Sequence, residues 1–310
     1  MNFQNLVVIE KPDFYFDIAF SRAKKKADLL REKGLTGDRI QKSRTIELAK
    51  IEVIRGVLVD RFLQILTSYP SFDQLPEFYQ GLVKCTLDYG MLKKSLGAIN
   101  WCKTKIDDFY LHYRKKIIKC ADLDKINQYR REFYGRVSSS VKQIKEELKY
   151  LEQARKIMKE YPSLRDDVKT VVIIGFPNVG KTTLLYKLTG SKPEISGYPF
   201  TTKNINIGNI KGIQLLDTPG ALNRINKMNN IEKQAYLAMK CLADIIIYII
   251  DLTESYPLED QIKLYEQIKN SGKRVIVYLS KSDLLMPELL NTFKKKYNAV
   301  TSVEELKEIL

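Results

Sequence analysis

VVIIGFPNVGKTTLL, residues Val171–Leu185, carries the pattern on which the fold turns. Its first four residues form a β-branched run of the kind that fills a buried strand, and its last residues open a helix. Between them stands Gly175-x-x-x-x-Gly180-Lys181-Thr182. Glycines at that spacing let backbone N–H groups turn inward around phosphate oxygens, and the N-terminus of the helix adds its positive dipole. In such a loop Lys181 reaches the β- and γ-phosphates and the Thr182 hydroxyl ligates magnesium. Asn178, Val179 and Thr183 complete the predicted nucleotide-contacting set.

Three further pieces follow downstream, each weak alone. GYPFTTKNINIG, residues 197–208, begins about twenty residues past the loop; a Thr there can close over magnesium and the γ-phosphate. GIQLLDTPG, residues 212–220, is a strand ending in Asp217, which would hold magnesium through water, while the Gly220 N–H would contact the γ-phosphate. RVIVYLSKSDLL, residues 274–285, is another strand end. There Asp283 can accept two hydrogen bonds from the N1–H and N2–H₂ edge of guanine, a donor pair that adenine lacks, and Lys281 would lay its aliphatic stem across the base. The order of the pieces and their distance from Lys181 lend one another weight.

The runs VVII, DIIIYII and RVIVYL alternate with helical segments, so residues 168–310 predict a mostly parallel sheet with helices on both faces. Residues 1–160 read differently. From Arg39 to Tyr69 apolar residues recur at three- and four-residue steps, and a second such stretch runs from about Asp88 to Cys120. Ile126, Tyr129, Phe133, Val137, Val141, Ile144, Leu148 and Leu151 step by three or four with no proline from Asp122 to Glu160. That predicts one unbroken helix of roughly 55–60 Å at about 1.5 Å per residue. Long helices with one apolar stripe pack as an antiparallel bundle, broken here by the two prolines of SYPSFDQLPEF.

Composition narrows the function classes. The 310 residues suffice for two domains, and the most apolar run, ADIIIYIIDL, is far short of a membrane span. The N-terminus does not read as a signal peptide, and the four scattered cysteines predict reduced thiols in a cytoplasmic protein. The single histidine, His112, reads as a surface or packing residue, and the second half has no histidine from which to build a triad or metal cluster. Net charge is +15, and residues 1–170, with 34 of the 52 Lys and Arg and 23 of the 37 Asp and Glu, hold +11 of it. Arg22, Lys24, Lys25 and Lys26, and Arg114, Lys115, Lys116 and Lys119, concentrate cations on helical faces. This excess suits an anionic partner such as RNA, or simply a well-solvated surface.

The four motifs in this order are similar to those of translation-factor-type GTPases, and GFPNVGKTT, YPFTTK and DTPGALNR together resemble the Obg-related group. LPEFYQGLVKCTLDYGMLKKSLGAINWCKTKIDDF and YLEQARKIMKEYPSLRDDVKTVVIIGFPNVGK resemble the nucleolar GTP-binding protein (NOG) branch, over nearly the whole chain. The resemblance implies GTP and GDP as ligands, magnesium as cofactor, and a switch in large ribosomal subunit assembly bound to precursor RNA and proteins. It gives Thr202 the magnesium-sensing role, with Thr201 as the neighbouring alternative. An end at Leu310 suits a prokaryotic, archaeal-type short form, monomeric and free of membranes.

Two departures bear on mechanism. The guanine motif reads Ser280-Lys281-Ser282-Asp283 where Asn-Lys-x-Asp is usual; Ser280 can keep only one of the bonds by which the Asn amide ties the base segment to the phosphate loop. The last base-contacting loop has NAVTSVEEL as its only candidate region, where Ser302 and Glu305 read more simply as a helix cap. Ala221 and Leu222 follow Gly220, where many such hydrolases carry a Gln that orients water, which predicts slow intrinsic hydrolysis. Two readings of Asn178 stay open. It occupies the position that helps hold a monovalent cation, potassium, in related potassium-activated GTPases, or it stabilises the turn of the loop. The function alternatives are a nucleotide-gated adaptor whose helical half binds protein, and an ATPase with a relaxed base site.

Overall fold

The computed structural model describes residues 3–165, 167–190, 194–196, 205–218, 230–253 and 256–310. The helices are α1 (Pro12–Glu32), α2 (Arg39–Ser68), α3 (Glu77–Thr86), α4 (Tyr89–Lys119), α5 (Leu123–Gln143), α6 (Lys145–Lys159), α7 (Lys181–Thr189), α8 (Asn230–Leu242), α9 (Leu258–Lys269), α10 (Pro287–Tyr297) and α11 (Val303–Ile309). The strands are β1 (Thr170–Ile174), β2 (Glu194–Ser196), β3 (Ile205–Ile210), β4 (Ile213–Asp217), β5 (Ile245–Asp251) and β6 (Arg274–Ser280). They fall into two compact units.

Gln4–Ser71 and Leu87–Lys159 form a helical unit. Its helices start where the sequence supplies caps. Pro12 opens α1, where its missing N–H costs nothing. Before α2 the Asp38 carboxylate accepts from Gln41 N at 2.7 Å and the Gln41 side chain accepts from Asp38 N at 3.1 Å. Asp88 and Asp122 cap α4 and α5 in the simpler, one-way manner. Of the stripe expected on α2, Ile54, Val57 and Leu58 turn inward, whereas Ile46, Ala49 and Leu66 are half-buried and Leu63 is exposed; Ile51 and Phe62 complete the buried face instead. Ile99 and Ile106 of α4 and Phe133 and Val137 of α5 are fully buried.

The single long helix expected from Asp122 to Glu160 is two helices. Ile144, at φ −94° and ψ +19°, leaves the helical region and separates α5 from α6. Absence of proline does not guarantee continuity. Ser138, Ser139 and Ser140 lie just before the break, and serine is a weaker helix former than alanine or leucine. Glu146 and Glu147 then favour a fresh N-terminus through the helix dipole. The break costs no core, because Ile144 is itself buried.

Phe3, Phe72–Thr86 and Glu160–Leu310 form the second unit. A six-stranded sheet runs in the order β2-β3-β4-β1-β5-β6. β1 pairs parallel with β4 and β5, and β5 with β6, while β2 and β3 are antiparallel additions at one edge. Every residue of β1 and β5 is buried, as expected of strands covered on both faces. The parallel strands end at Ile174, Asp217, Asp251 and Ser280, so the carboxyl end of the sheet gathers the motif-bearing loops. α3 packs against α8 within this unit. The Tyr79 hydroxyl anchors the preceding segment by donating to Pro162 O at 2.8 Å and accepting from Leu164 N at 3.2 Å. Among the described residues no helix is long and apolar enough to cross a membrane.

Candidate functional site

The phosphate end is built by β1, the loop after it and the first turn of α7. The loop needs its glycines. A Cβ on Gly175 would stand 3.0 Å from Ile249 O and 2.9 Å from Val179 Cγ2, and Gly180 sits at φ +95°. Asn178, exposed at φ +62°, shares the left-handed conformation that Asn tolerates better than most residues. Thr182 and Thr183 are exposed on the first turn of α7. Val179 is fully buried, which leaves its backbone rather than its side chain to face a ligand. Lys181 is only 8% exposed and donates from Nζ to Phe176 O at 2.7 Å, so the loop is closed around its own lysine.

Asp217 joins this group from β4. Its Oδ2 accepts from Thr182 Oγ1 at 2.6 Å and from Asn206 Nδ2 at 3.0 Å, while its buried Oδ1 has no partner among the described residues. Burial pushes the carboxyl above its ordinary range, against the two hydrogen bonds and the nearby Lys181 charge. Leaving such a group half-satisfied costs about 1–3 kcal/mol, and proteins seldom keep that cost without a use. Hard oxygen donors on Thr182 and Asp217 fit magnesium, which takes one or two protein ligands and fills its octahedron with phosphate oxygens and water. Among the described residues no cluster of three or more His, Cys, Asp or Glu could hold a metal by itself.

At the base end, Ser280 closes β6 beside the phosphate loop; a Cβ on Gly180 would lie 3.9 Å from Ser280 Cβ. Ser280 Oγ donates to Ile250 O at 3.4 Å, toward the neighbouring strand. Lys281 follows at φ +50°, its Nζ 2.6 Å from Asp251 Oδ2, and Asp283 is exposed in the short turn Ser282–Leu284. Val300 bridges in parallel to Tyr278, which brings Thr301 and Ser302 out at the same end of the sheet. Ser302 caps α11 by accepting from Glu304 N at 3.1 Å and Glu305 N at 3.4 Å, as expected. Thr201, Thr202, Gly220, Ala221 and Leu222 lie outside the described residues.

Two residues escaped the sequence reading. Asn206 faces Asp217 across the β3–β4 ladder, a register that no sequence pattern reveals. Asp251 ends a strand as Asp217 does, and that likeness was the available signal.

In the helical unit, Arg22, Lys24, Lys25 and Lys26 of α1 and Arg114, Lys115, Lys116 and Lys119 of α4 are all exposed. Aromatic rings accompany the second group. Lys116 lies 5.1 Å from the Tyr129 ring centroid, and Arg136 of α5 lies 5.8 Å from that of Phe109. His112 is exposed and stands edge-on to Tyr113.

Residues 3–164 match the NOG1 N-terminal helical domain family, and residues 170–281 match the 50S ribosome-binding GTPase family. An uncharacterized protein of Methanocaldococcus jannaschii is 39% identical over 290 residues, which cover 92% of this chain and 82% of that one. Nucleolar GTP-binding protein 1 of Kluyveromyces lactis is 30% identical over 305 residues, covering 96% of this chain and 47% of its own length, so this chain spans about half of that relative. Among solved structures, the G domain of the T. maritima FeoB iron transporter aligns at 29% identity and a TM-score of 0.36, covering 45% of this chain and 94% of its own. With the helical family domain joined to a P-loop that holds its lysine, its threonine and the strand-end aspartate in one cluster, the chain belongs to the NOG1 family of GTP-binding P-loop GTPases.

Proposed function

We propose that this protein is a nucleotide switch that hydrolyses GTP to GDP and phosphate during assembly of the large ribosomal subunit, as a cytoplasmic monomer that meets precursor rRNA and ribosomal proteins through its helical unit. In a eukaryote the place would be the nucleolus. The observation that carries the RNA part is the pair of exposed cationic groups on α1 and α4, the second of them interleaved with aromatic rings.

At the nucleotide, Lys181 would leave the Phe176 carbonyl for the β- and γ-phosphates, trading a neutral acceptor for a charged one. Thr182, Asp217 and Thr202 would hold magnesium, which neutralises charge on the phosphates. The Gly220 N–H would sense the γ-phosphate. Gly175, Asn178, Val179, Gly180 and Thr183 would line the phosphates, with Asn178 also placed to hold potassium beside them. Asp283 would read the guanine edge and Lys281 would cover the base. With Ala221 and Leu222 after Gly220, intrinsic hydrolysis is slow, and a partner or a cation supplies the missing stabilisation.

The exposed apolar side chains Trp101, Leu111 and Ile118 on α4 favour the other reading, an adaptor whose helical unit docks on protein. Titration of the whole protein with large-subunit rRNA fragments at several salt concentrations separates the two. Each phosphate neutralised adds roughly 0.7–0.9 to the log–log salt slope. Replacing Arg114, Lys115, Lys116 and Lys119 by Ala should therefore lower the slope by about two to four while GDP affinity stays unchanged. Salt-insensitive or absent RNA binding by the unaltered protein would favour the adaptor.

A further inference from the structure

Among the described residues, the most completely buried carboxylate of the nucleotide-binding unit lies outside all four motifs. Asp251 closes β5, 0% exposed, directly across the ladder from Ser280. Both of its oxygens are used. Oδ2 faces Lys281 Nζ at 2.6 Å, and Oδ1 accepts from Thr253 N at 2.9 Å and Thr253 Oγ1 at 2.7 Å. Its backbone is held as firmly. The fully buried Gln261 accepts from Asp251 N at 2.9 Å and donates to the carbonyls of Asp251 and Tyr256, each at 2.9 Å.

A carboxylate saturated in this way has no site left for a ligand, and its ion pair adds little net stability once desolvation is counted. What it fixes is geometry. Lys281 carries a Cβ yet sits at φ +50° and ψ +36°, in the left-handed region, with its ammonium drawn back onto the sheet. The usual anchor of such a segment, an Asn amide spanning to the phosphate loop, is replaced by Ser280, whose hydroxyl bonds instead to Ile250 O.

We propose that Asp251 is a positioning residue for the nucleotide base: its carboxylate pins Lys281 and supplies the anchoring that Ser280 does not, and so sets guanine-nucleotide affinity. The proposal rests on the reading of Lys281 and Asp283 as the base contacts. Asp251 touches no nucleotide itself. It shapes the lysine stem into a fixed platform, and Asp283, two residues on, inherits its place from that bend. Preorganising a binding group in its bound geometry raises affinity by removing the ordering cost of binding.

The test measures GDP and ADP affinity by calorimetry for the full chain, for Asp251→Asn, for Lys281→Met and for the double variant. Asp251→Asn should weaken GDP binding about tenfold in the natural background and leave it unchanged in the Lys281→Met background, because the effect runs through that lysine. Thr253→Ala, an exposed and milder change, should weaken GDP binding two- to threefold with the same dependence on Lys281, and it decides the matter where Asp251→Asn does not fold. Equal losses in both backgrounds would mark Asp251 as a general support of the sheet and overturn the proposal, as would no loss in either. Failure of the base reading looks different: the natural protein would then bind GDP and ADP equally, and the proposal would fall with it.

Discussion

The carboxylates of the helical unit and Asp217 of the nucleotide-binding unit treat burial in opposite ways. Glu47, 5% exposed, gives one oxygen to Lys50 at 2.7 Å and the other to Arg130 at 3.1 Å. Glu152 gives both oxygens to Arg155, each at 2.7 Å, and one of them also to Ile9 N at 3.0 Å. Asp217 is as buried as Glu47 and more so than the half-buried Glu152, yet one of its oxygens meets nothing among the described residues. Asp251, in the same sheet, is saturated like the helical pair. Buried charge that is fully partnered holds structure in place; buried charge with an open lone pair waits for something else. The distinction separates two strand-end aspartates, of which the sequence marks only Asp217 through its DTPG motif.

The largest expected effect falls on the lysine beside that open site. Lys181→Ala should lower GTP hydrolysis on the order of 10²–10³-fold, the usual scale for removing one charge-stabilising donor. Lys181 bonds to a neutral carbonyl and its charge favours the nearby Asp217 carboxylate, so its loss should lower the melting of the nucleotide-free protein only modestly. Single-turnover hydrolysis and thermal melting read the two halves of this expectation. A large loss of stability would place Lys181 among the structural charges and blur the comparison.

Asp217→Asn probes the open oxygen directly. The neutral amide removes the cost of burying a half-satisfied carboxylate, so the nucleotide-free protein should hold its stability or gain about 1 kcal/mol. The tightening of GTP binding by magnesium should fall at least tenfold, measured as the ratio of affinities with and without the ion. If the variant instead loses stability and keeps its magnesium response, Asp217 belongs with Glu47 and Glu152.

How far these features could be read in advance depends on how local their causes are. The phosphate loop was legible because its glycines and lysine are fixed by a contact among neighbours, and the strand runs of β1, β5 and β6 because full burial demands β-branched sequence. The cap on Ser302 was legible for the same local reason. Asn206 was not, since its role comes from register with Asp217 across a turn. The break at Ile144 was not, since the apolar steps of three and four continue through it and only the backbone departs. Local pattern shows the start of the segment Phe72–Thr86 as an interruption with prolines, and its likeness to the family does not say what it packs on; α3 packs against α8. Its partners, Phe3, Tyr161 and Pro162, are scattered along the sequence, and no periodicity ties them together.

The smallest effect belongs to the saturated side of the comparison. Burial alone would raise the Glu152 carboxyl. The hydrogen bonds from Arg155 and Ile9 N, with the charges of Arg155 and Lys156, outweigh it and leave the group below its ordinary value. A carboxyl with a lowered value in the folded protein stabilises the fold above its unfolded pKa, about 4.3, and loses that contribution as pH falls through the folded value. Glu152→Gln keeps the shape and one acceptor but removes the charge, so it should cost about 1–3 kcal/mol near pH 7, the range for hydrogen bonds to charged groups. The gap between the natural protein and the variant should narrow as the pH falls through the lowered value of the folded carboxyl, below which both carry a neutral side chain. Chemical denaturation of the helical unit's transition at pH 7 and at low pH measures both ends of that window. A gap that persists at low pH would mean that Glu152 acts through its shape and packing, and that its saturation by Arg155 contributes no more than the half-met carboxylate of Asp217.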